Sequence, residues 1–296
     1  MELVLTLVSP DDATARLAAE RARQALAAAG AGVKAARPLG EGAYDLPLIA
    51  DLDAAVAVAA TELDGLPVDA CVQAAAGRRK RLLIADMDST IIDVECLDEL
   101  ADFAGLKAEI SAITERAMRG ELAFEGALRE RVGMLKGLAT TALQQAYDER
   151  VRLNPGARTM VRTMAASGAR CALVSGGFTF FTSRVAAAAG FHLNRANTLI
   201  EADGALTGEV GDPILGKQAK LASLQELAAE IGAPLSATLA VGDGANDLAM
   251  IQAAGLGVAY RAKPIVAAQA HAKVDHADLT ALLYFQGYAQ TEFVVD

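Results

Sequence analysis

The run Arg81-Leu82-Leu83-Ile84-Ala85-Asp86-Met87-Asp88-Ser89-Thr90 constrains the fold of this chain more than any other stretch. Apolar residues in succession, without polar alternation, suit a strand buried on both faces, as at the centre of a parallel sheet covered by helices. The run then breaks into two carboxylates and two hydroxyls, so the chain turns at the strand's carboxyl end, where open α/β sheets bind ligands. Side chains alternate along a strand, so Asp86 and Asp88 share a face wherever the chain stays extended. Two such carboxylates repel unless a cation or a proton lies between them. Taken alone, the decapeptide reads equally well as an acidic turn after a strand.

A chain of 296 residues exceeds most single cores and predicts two domains, or one domain carrying an insertion. Its hydrophobic share of 53% is rich in Ala and lacks Trp, which favours closely packed helices over aromatic clusters. A net charge of −10 argues against nucleic acid and against anionic membranes as partners. Cys71, Cys96 and Cys171 are odd in number and lie far apart, so reduced thiols in a cytoplasmic protein are expected rather than a disulfide framework or a zinc site. The first residues lack the basic flank of a signal peptide, and no apolar run approaches the roughly 20 residues of a membrane helix.

Residues 1–78 predict a small βαββαβ unit of the ferredoxin-like kind. Its strands are Leu3–Val8, Val33–Ala36, Ala43–Ile49 and Val68–Ala74, with helices from Asp11-Asp12 to about Ala29 and over Leu52–Leu63. No catalytic constellation lies in it, which leaves a packing or homodimerisation unit and a small-ligand regulatory unit as readings. Gly77-Arg78-Arg79-Lys80-Arg81 reads as a solvated basic joint. Residues 79–296 predict a doubly wound parallel, Rossmann-like sheet. Its first strand is followed by an all-helical insertion over about 96–153, broken at Gly105, Gly120, Gly126 and Gly137 and placed as a lid. Strands are expected at Cys171–Val174, Thr238–Val241, Gly257–Tyr260 and Lys273–Val274, with a hairpin over Asn197–Val210.

Besides the Asp86 turn, two of these strand ends carry chemistry. Ser175-Gly176-Gly177 offers a hydroxyl and unhindered N–H groups, a phosphate cradle or an ordinary turn. Asp243, Asn246 and Asp247 are hard oxygen donors among glycines, suited to Mg²⁺ or to a tight capped turn. Lys220 supplies a cation near a helix start, with Lys217 in competition. The conjunction in chain order is what separates chemistry from coincidence.

On these motifs the chain resembles the haloacid dehalogenase superfamily of phosphotransferases: Asp86-Met87-Asp88-Ser89-Thr90, then Ser175, Lys220 and Gly242-Asp243-Gly244-Ala245-Asn246-Asp247. Glu95, Glu130-Arg131-Val132 and Val174-Ser175-Gly176-Gly177-Phe178 bring it closer to the phosphoserine phosphatases. The resemblance covers about Arg81 to Leu283. It implies a Mg²⁺-dependent phosphomonoester hydrolase that acts on phosphoserine in the last step of serine biosynthesis. It implies Asp86 as nucleophile, Asp88 as acid and base, and a cation held by the Asp86 carboxylate, the Asp88 carbonyl and Asp243. Ser175, Gly176, Lys220 and Asn246 would bind the substrate phosphate and its metal shell, with Asp247 behind them. Glu95 would take the ammonium, Arg131 the carboxylate, and Met118 and Phe124 would form an apolar wall. Some family members carry an amino-acid-binding ACT domain at the amino terminus, so the first unit would be ACT-like, with a possible amino-acid effector. A sister phosphotransferase, an aspartate-phosphorylated signalling domain and an amino-acid sensor remain the competing readings.

Overall fold

The computed structural model describes residues 1–118 and 121–295, without the side chains at 115, 117, 118 and 217. The chain begins β1 (Glu2–Val8), α1 (Asp12–Ala28), β2 (Gly32–Val33), β3 (Arg37–Gly40), β4 (Ala43–Ile49), α2 (Leu52–Leu63) and β5 (Asp69–Ala74). Asp11 caps α1 by accepting from the Thr14 N–H at 2.8 Å, and Asp51 does the same for α2 through Ala54. The strands form an antiparallel sheet in the order β2-β4-β1-β5, with β3 paired separately to β4. Leu3, Leu5 and Leu7 point from β1 into Ala18, Ala22, Ala55 and Ala59 of the two helices. Alanines on the helices let them lie close on the sheet.

The expected strand at Val33–Ala36 is corrected to two short pieces, β2 and β3. Pro38 has no N–H to give a ladder, and it sits on β3, whose partner β4 lies on one side.

The second sheet begins with β6 (Leu82–Ala85). After it come four helices, α3 (Cys96–Phe103), α4 (Lys107–Met118), α5 (Phe124–Met134) and α6 (Thr141–Arg150), and then α7 (Ala157–Ala166), β7 (Arg170–Phe178), α8 (Thr179–Ala189) and β8 (Leu193–Asn197). A hairpin of β9 (Leu199–Ala202) and β10 (Ala205–Val210) precedes α9 (Lys217–Glu230), β11 (Thr238–Gly242), α10 (Leu248–Ala253), β12 (Leu256–Tyr260), α11 (Pro264–Ala267), β13 (Ala272–Val274) and α12 (Ala281–Phe285). The sheet is parallel throughout, in the order β13-β12-β11-β6-β7-β8. β6 alternates between two cores. Leu82 and Ile84 pack with Leu224, Leu227 and Met250, while Leu83 and Ala85 pack with Met160, Phe181 and Leu282. Burial on both faces is why the strand shows no polar alternation. The strands either side of β6 lead away in opposite directions, so its carboxyl end is the switch point of the sheet.

The helical insertion breaks at Gly105 and Gly137, which take positive φ of +68° and +85°. Gly126 does not break it: the residue lies inside α5. The expected break at Gly120 falls outside the described residues. β8 is a strand the sequence did not announce, because Leu193-Asn194-Arg195-Ala196-Asn197 is a half-buried edge with little apolar signal.

The two sheets are joined by buried polar groups. Arg78 and Lys80 are not a solvated joint. The Arg78 guanidinium meets the Asp45 carboxylate at 2.6 Å and donates to the carbonyls of Tyr284 and Phe285. Lys80 Nζ donates to the carbonyls of Gly77 and Ser236. Asp69, 2% exposed, accepts from the N–H groups of Asp275, His276 and Ala277 just beyond β13. Burial raises its pKa despite those three donors. Asp69→Ala would leave the three N–H groups without an acceptor and should cost roughly 2–4 kcal/mol, read as a lowered urea midpoint. Asp69→Asn, which keeps one acceptor oxygen, should lose clearly less; equal midpoints for the two variants would show that these bonds do not carry the junction.

Candidate active site

Asp86 follows directly on β6, and its N–H donates to the Val241 carbonyl of the neighbouring strand at 3.0 Å. The chain then makes a wide turn in which Ser89 takes a φ of 54° and the Ile92 N–H closes back onto the Met87 carbonyl at 3.0 Å. Asn154 supports this turn from behind, donating through Nδ2 to the carbonyls of Thr90 and Ile92. Asp86 and Asp88 are thus held by backbone geometry rather than by side-chain contacts alone.

Behind Asp86 lies a buried lysine. Lys220, from α9 and 1% exposed, puts Nζ 2.7 Å from Asp86 Oδ2 and 2.6 Å from Asp247 Oδ1. The second oxygen of Asp247 accepts the Gly244 N–H at 3.0 Å, so both of its carboxylate oxygens have a partner. Gly242 is required where it stands, because a Cβ there would run into the Asp247 carboxylate. Burial opposes the charge of Lys220, but Asp247 and then Asp86 outweigh it and its pKa is raised. Asp86 is pushed well above the ordinary carboxylate range, by burial first and by the charge of Asp247 second. Asp243 is raised to about 6 for the same two reasons.

Carboxylate oxygens of Asp86, Asp243 and Asp247 lie within 4.8 Å of one another. One lysine among three carboxylates leaves an excess of negative charge in a buried space, which a divalent cation would neutralise. The donors are all oxygens, the set that hard cations take. Each oxygen of Asp86 and of Asp247 has one partner, the Met87 N–H and Lys220 for Asp86, Lys220 and the Gly244 N–H for Asp247, while Asp243 accepts from Thr90 through Oδ1. The carboxylate of Asp88 is not in this cluster. Its Oδ1 accepts the Cys96 N–H at 3.2 Å, and burial, with the nearby Glu95 charge, raises its pKa to about 7.

A cavity of about 400 Å³ opens over these groups. From the sheet it is lined by Asp86, Asp88, Ser175, Gly176, Asp243 and Asn246, and from the helical insertion by Glu95, Phe124 and Arg131. Residues far apart in sequence therefore face one space. Lys220 does not line it and sits behind Asp86. Ser175 accepts the Gly177 N–H at 2.9 Å through Oγ, which keeps its hydroxyl proton free. A Cβ on Gly177 would stand 2.8 Å from Asp88 Oδ2, so only glycine lets the two strand ends approach this closely. The Phe124 ring covers Gly176 and Gly216, at 3.4 Å from where a Cβ on either would be. The side chain of Met118 lies outside the described residues, as does that of Lys217.

Glu95 accepts from Ser89 Oγ at 2.6 Å, and its pKa is raised by burial. Arg131 donates to the Ala127 carbonyl and, at 3.5 Å, to Thr114 Oγ1, and burial lowers its pKa. Among the described residues neither charge has a salt-bridge partner. Sequence reasoning missed Ser89, Thr90, Asp98, Thr114 and Lys263. Thr90 donates to Asp243 at 3.2 Å, and the others line the cavity. Only Ser89 and Thr90 carried a signal, by following the two aspartates directly. The others are single polar residues on helices or turns.

Comparison with known proteins agrees with this geometry. The family model described as haloacid dehalogenase-like hydrolase matches residues 83–252. A phosphoserine phosphatase of Streptomyces coelicolor is 45% identical over 235 residues, which is 79% of this chain and 57% of that protein. One from Streptococcus thermophilus is 47% identical over 200 residues, 68% of this chain and 93% of its own length. The aligned part thus spans little more than half of the first relative and nearly all of the second. A solved structure of a phospho-aspartyl intermediate analogue of phosphoserine phosphatase superposes with a TM-score of 0.65 at 38% identity, covering 70% of this chain and 99% of that one. No described helix is long and apolar enough to cross a membrane. The chain belongs to the haloacid dehalogenase-like hydrolases, and within them to the phosphoserine phosphatase family.

Proposed function

We propose that the protein is a Mg²⁺-dependent phosphatase that hydrolyses O-phospho-L-serine to serine and phosphate through a phosphoryl group carried on Asp86. The observation that carries this reading is the presence of Glu95 and Arg131 in the same cavity as Asp86 and Asp88. A phosphoserine has an ammonium and a carboxylate beyond its phosphate. The Glu95 carboxylate and the Arg131 guanidinium, each without a salt-bridge partner among the described residues, match those two groups, and an arginine fork suits a carboxylate.

In the first step an Asp86 oxygen attacks phosphorus and the bond from phosphorus to the serine oxygen breaks. The leaving oxygen takes the proton of Asp88, whose pKa of about 7 lets it hold that proton at neutral pH. In the second step the Asp88 carboxylate removes a proton from water. The water oxygen attacks phosphorus, and the bond from phosphorus to Asp86 breaks. The Ser175 hydroxyl and the Gly176 N–H hold the phosphoryl oxygens. Lys220, fixed by Asp247, offsets the charge of Asp86 from behind. Asp86, Asp243 and the Asp88 carbonyl would hold Mg²⁺, with Asn246 beside them. When bound, the ion neutralises the surplus charge of the carboxylates and of the phosphoryl oxygens.

In this reading residues 1–78 are a separate domain that serves in homodimerisation or in binding an amino-acid effector, and residues 79–296 are the phosphatase domain. The mass of the full chain in solution and its binding of serine test those roles.

Asp86→Asn should abolish phosphoenzyme trapping and turnover together; full turnover by that variant would overturn the nucleophile assignment. Arg131→Ala should raise KM for phosphoserine by roughly 100-fold, the scale of a lost charge-assisted pair, with KM for p-nitrophenyl phosphate within about threefold of wild type. Equal losses on the two substrates would discredit the carboxylate clamp. Chelation should stop phosphate release and added Mg²⁺ should restore it. Undiminished turnover in chelator would rule out the metal.

A further inference from the structure

We propose that Asn197 is a positioning residue that sets the phosphate loop against the loop leading into the lysine helix, an inference that rests on the phosphatase reading above. The pairing of β7 with β8 shows why such a residue is needed. Val174 lies opposite Arg195 and Phe178 opposite Asn197, with a register shift between them. Three residues of β7, Ser175-Gly176-Gly177, therefore stand against Ala196 alone, and the phosphate loop bulges out of the ladder. A bulge leaves backbone groups without ladder partners.

Asn197, 2% exposed, fills that gap. Its Nδ2 donates to the Gly176 carbonyl at 2.8 Å and to the Leu215 carbonyl at 3.2 Å, and its Oδ1 accepts the Leu215 N–H at 2.6 Å. One amide thus ties together the phosphate loop and the segment immediately before α9, which carries Lys220. The bond to the Gly176 carbonyl fixes the peptide plane between Gly176 and Gly177. The bonds to Leu215 place Gly216, so that Gly176 and Gly216 lie together beneath the Phe124 ring. Asn197 touches no reacting atom. It sets the distance between two elements that do, and displacement by about 1 Å costs on the order of 100-fold in rate.

The test uses the full chain with Mg²⁺. Asn197→Asp keeps the size of the side chain and its acceptor for Leu215 but turns both donations into repulsion between oxygens; Asn197→Ala and Asn197→Ser remove or shorten the link. In variants with wild-type circular dichroism, the competitive inhibition constant of inorganic phosphate should rise and kcat should fall, each about 10- to 100-fold, on phosphoserine and p-nitrophenyl phosphate alike. Values within twofold of wild type would overturn the proposal. So would a lower kcat with unchanged phosphate inhibition, the mark of a smaller folded fraction, and so would loss of folding in all three variants. A wild-type chain inactive on phosphoserine but active on the aryl ester would overturn the substrate reading instead, with the Asn197 test still readable on the aryl ester.

Discussion

The contact on which the site depends is the buried ammonium of Lys220 between Asp86 and Asp247. A lone ammonium 1% exposed would be driven to lose its proton, and a lone buried carboxylate to gain one. Between the two carboxylates the pKa of the lysine is raised instead. Asp247 answers Lys220 and the Gly244 N–H at once, so the lysine has a fixed position before any substrate arrives. Asp86 is then the surplus carboxylate, raised in pKa until a further cation balances it. The same arithmetic of charge makes the pocket a place for a divalent ion and for a phosphate brought in with it.

Glycine governs how closely these charged groups approach. Gly242 makes room for the Asp247 carboxylate and Gly177 for that of Asp88, while the Phe124 ring packs over Gly176 and Gly216. The helical insertion meets the sheet through that ring and through the hairpin. The Gly137 N–H donates to the Leu206 carbonyl, the Leu206 N–H to Leu138, and Arg129 pairs with Asp212. The segment that presents Phe124 and Arg131 is therefore anchored on the hairpin and on the loop that follows it.

Much of this was legible in the chain. The β6 run has the unbroken apolar pattern of a strand with helices on both faces, and the structure puts Leu82 and Ile84 in one core and Leu83 and Ala85 in the other. Asp86, Asp88, Asp243 and Asn246 each follow a strand and Ser175 lies near the end of one, and strand ends on one side of a parallel sheet lie together. What stayed hidden has a common cause. β8 and β3 are edge strands with polar or proline residues, so neither has a period to read. Thr114, Asp98 and Lys263 are single polar residues whose meaning is the cavity they face. Arg78 read as a solvated charge because the carboxylate that buries it, Asp45, lies on another strand.

The amino-acid sequence by itself determined the central buried strand, most of the helices and strands around it and the types of group at its end, because period, capping and turn chemistry are local properties of a chain. It could name two aspartates but could not give them distances or partners. Tertiary structure alone decided that Lys220 stands behind Asp86 rather than in the cavity, that Asp247 is spent on holding it, and that Asn197 spans two loops. Each of those facts is a contact between segments remote in sequence. The low dielectric that gives such contacts their strength exists only once the sheet and its helices have excluded water.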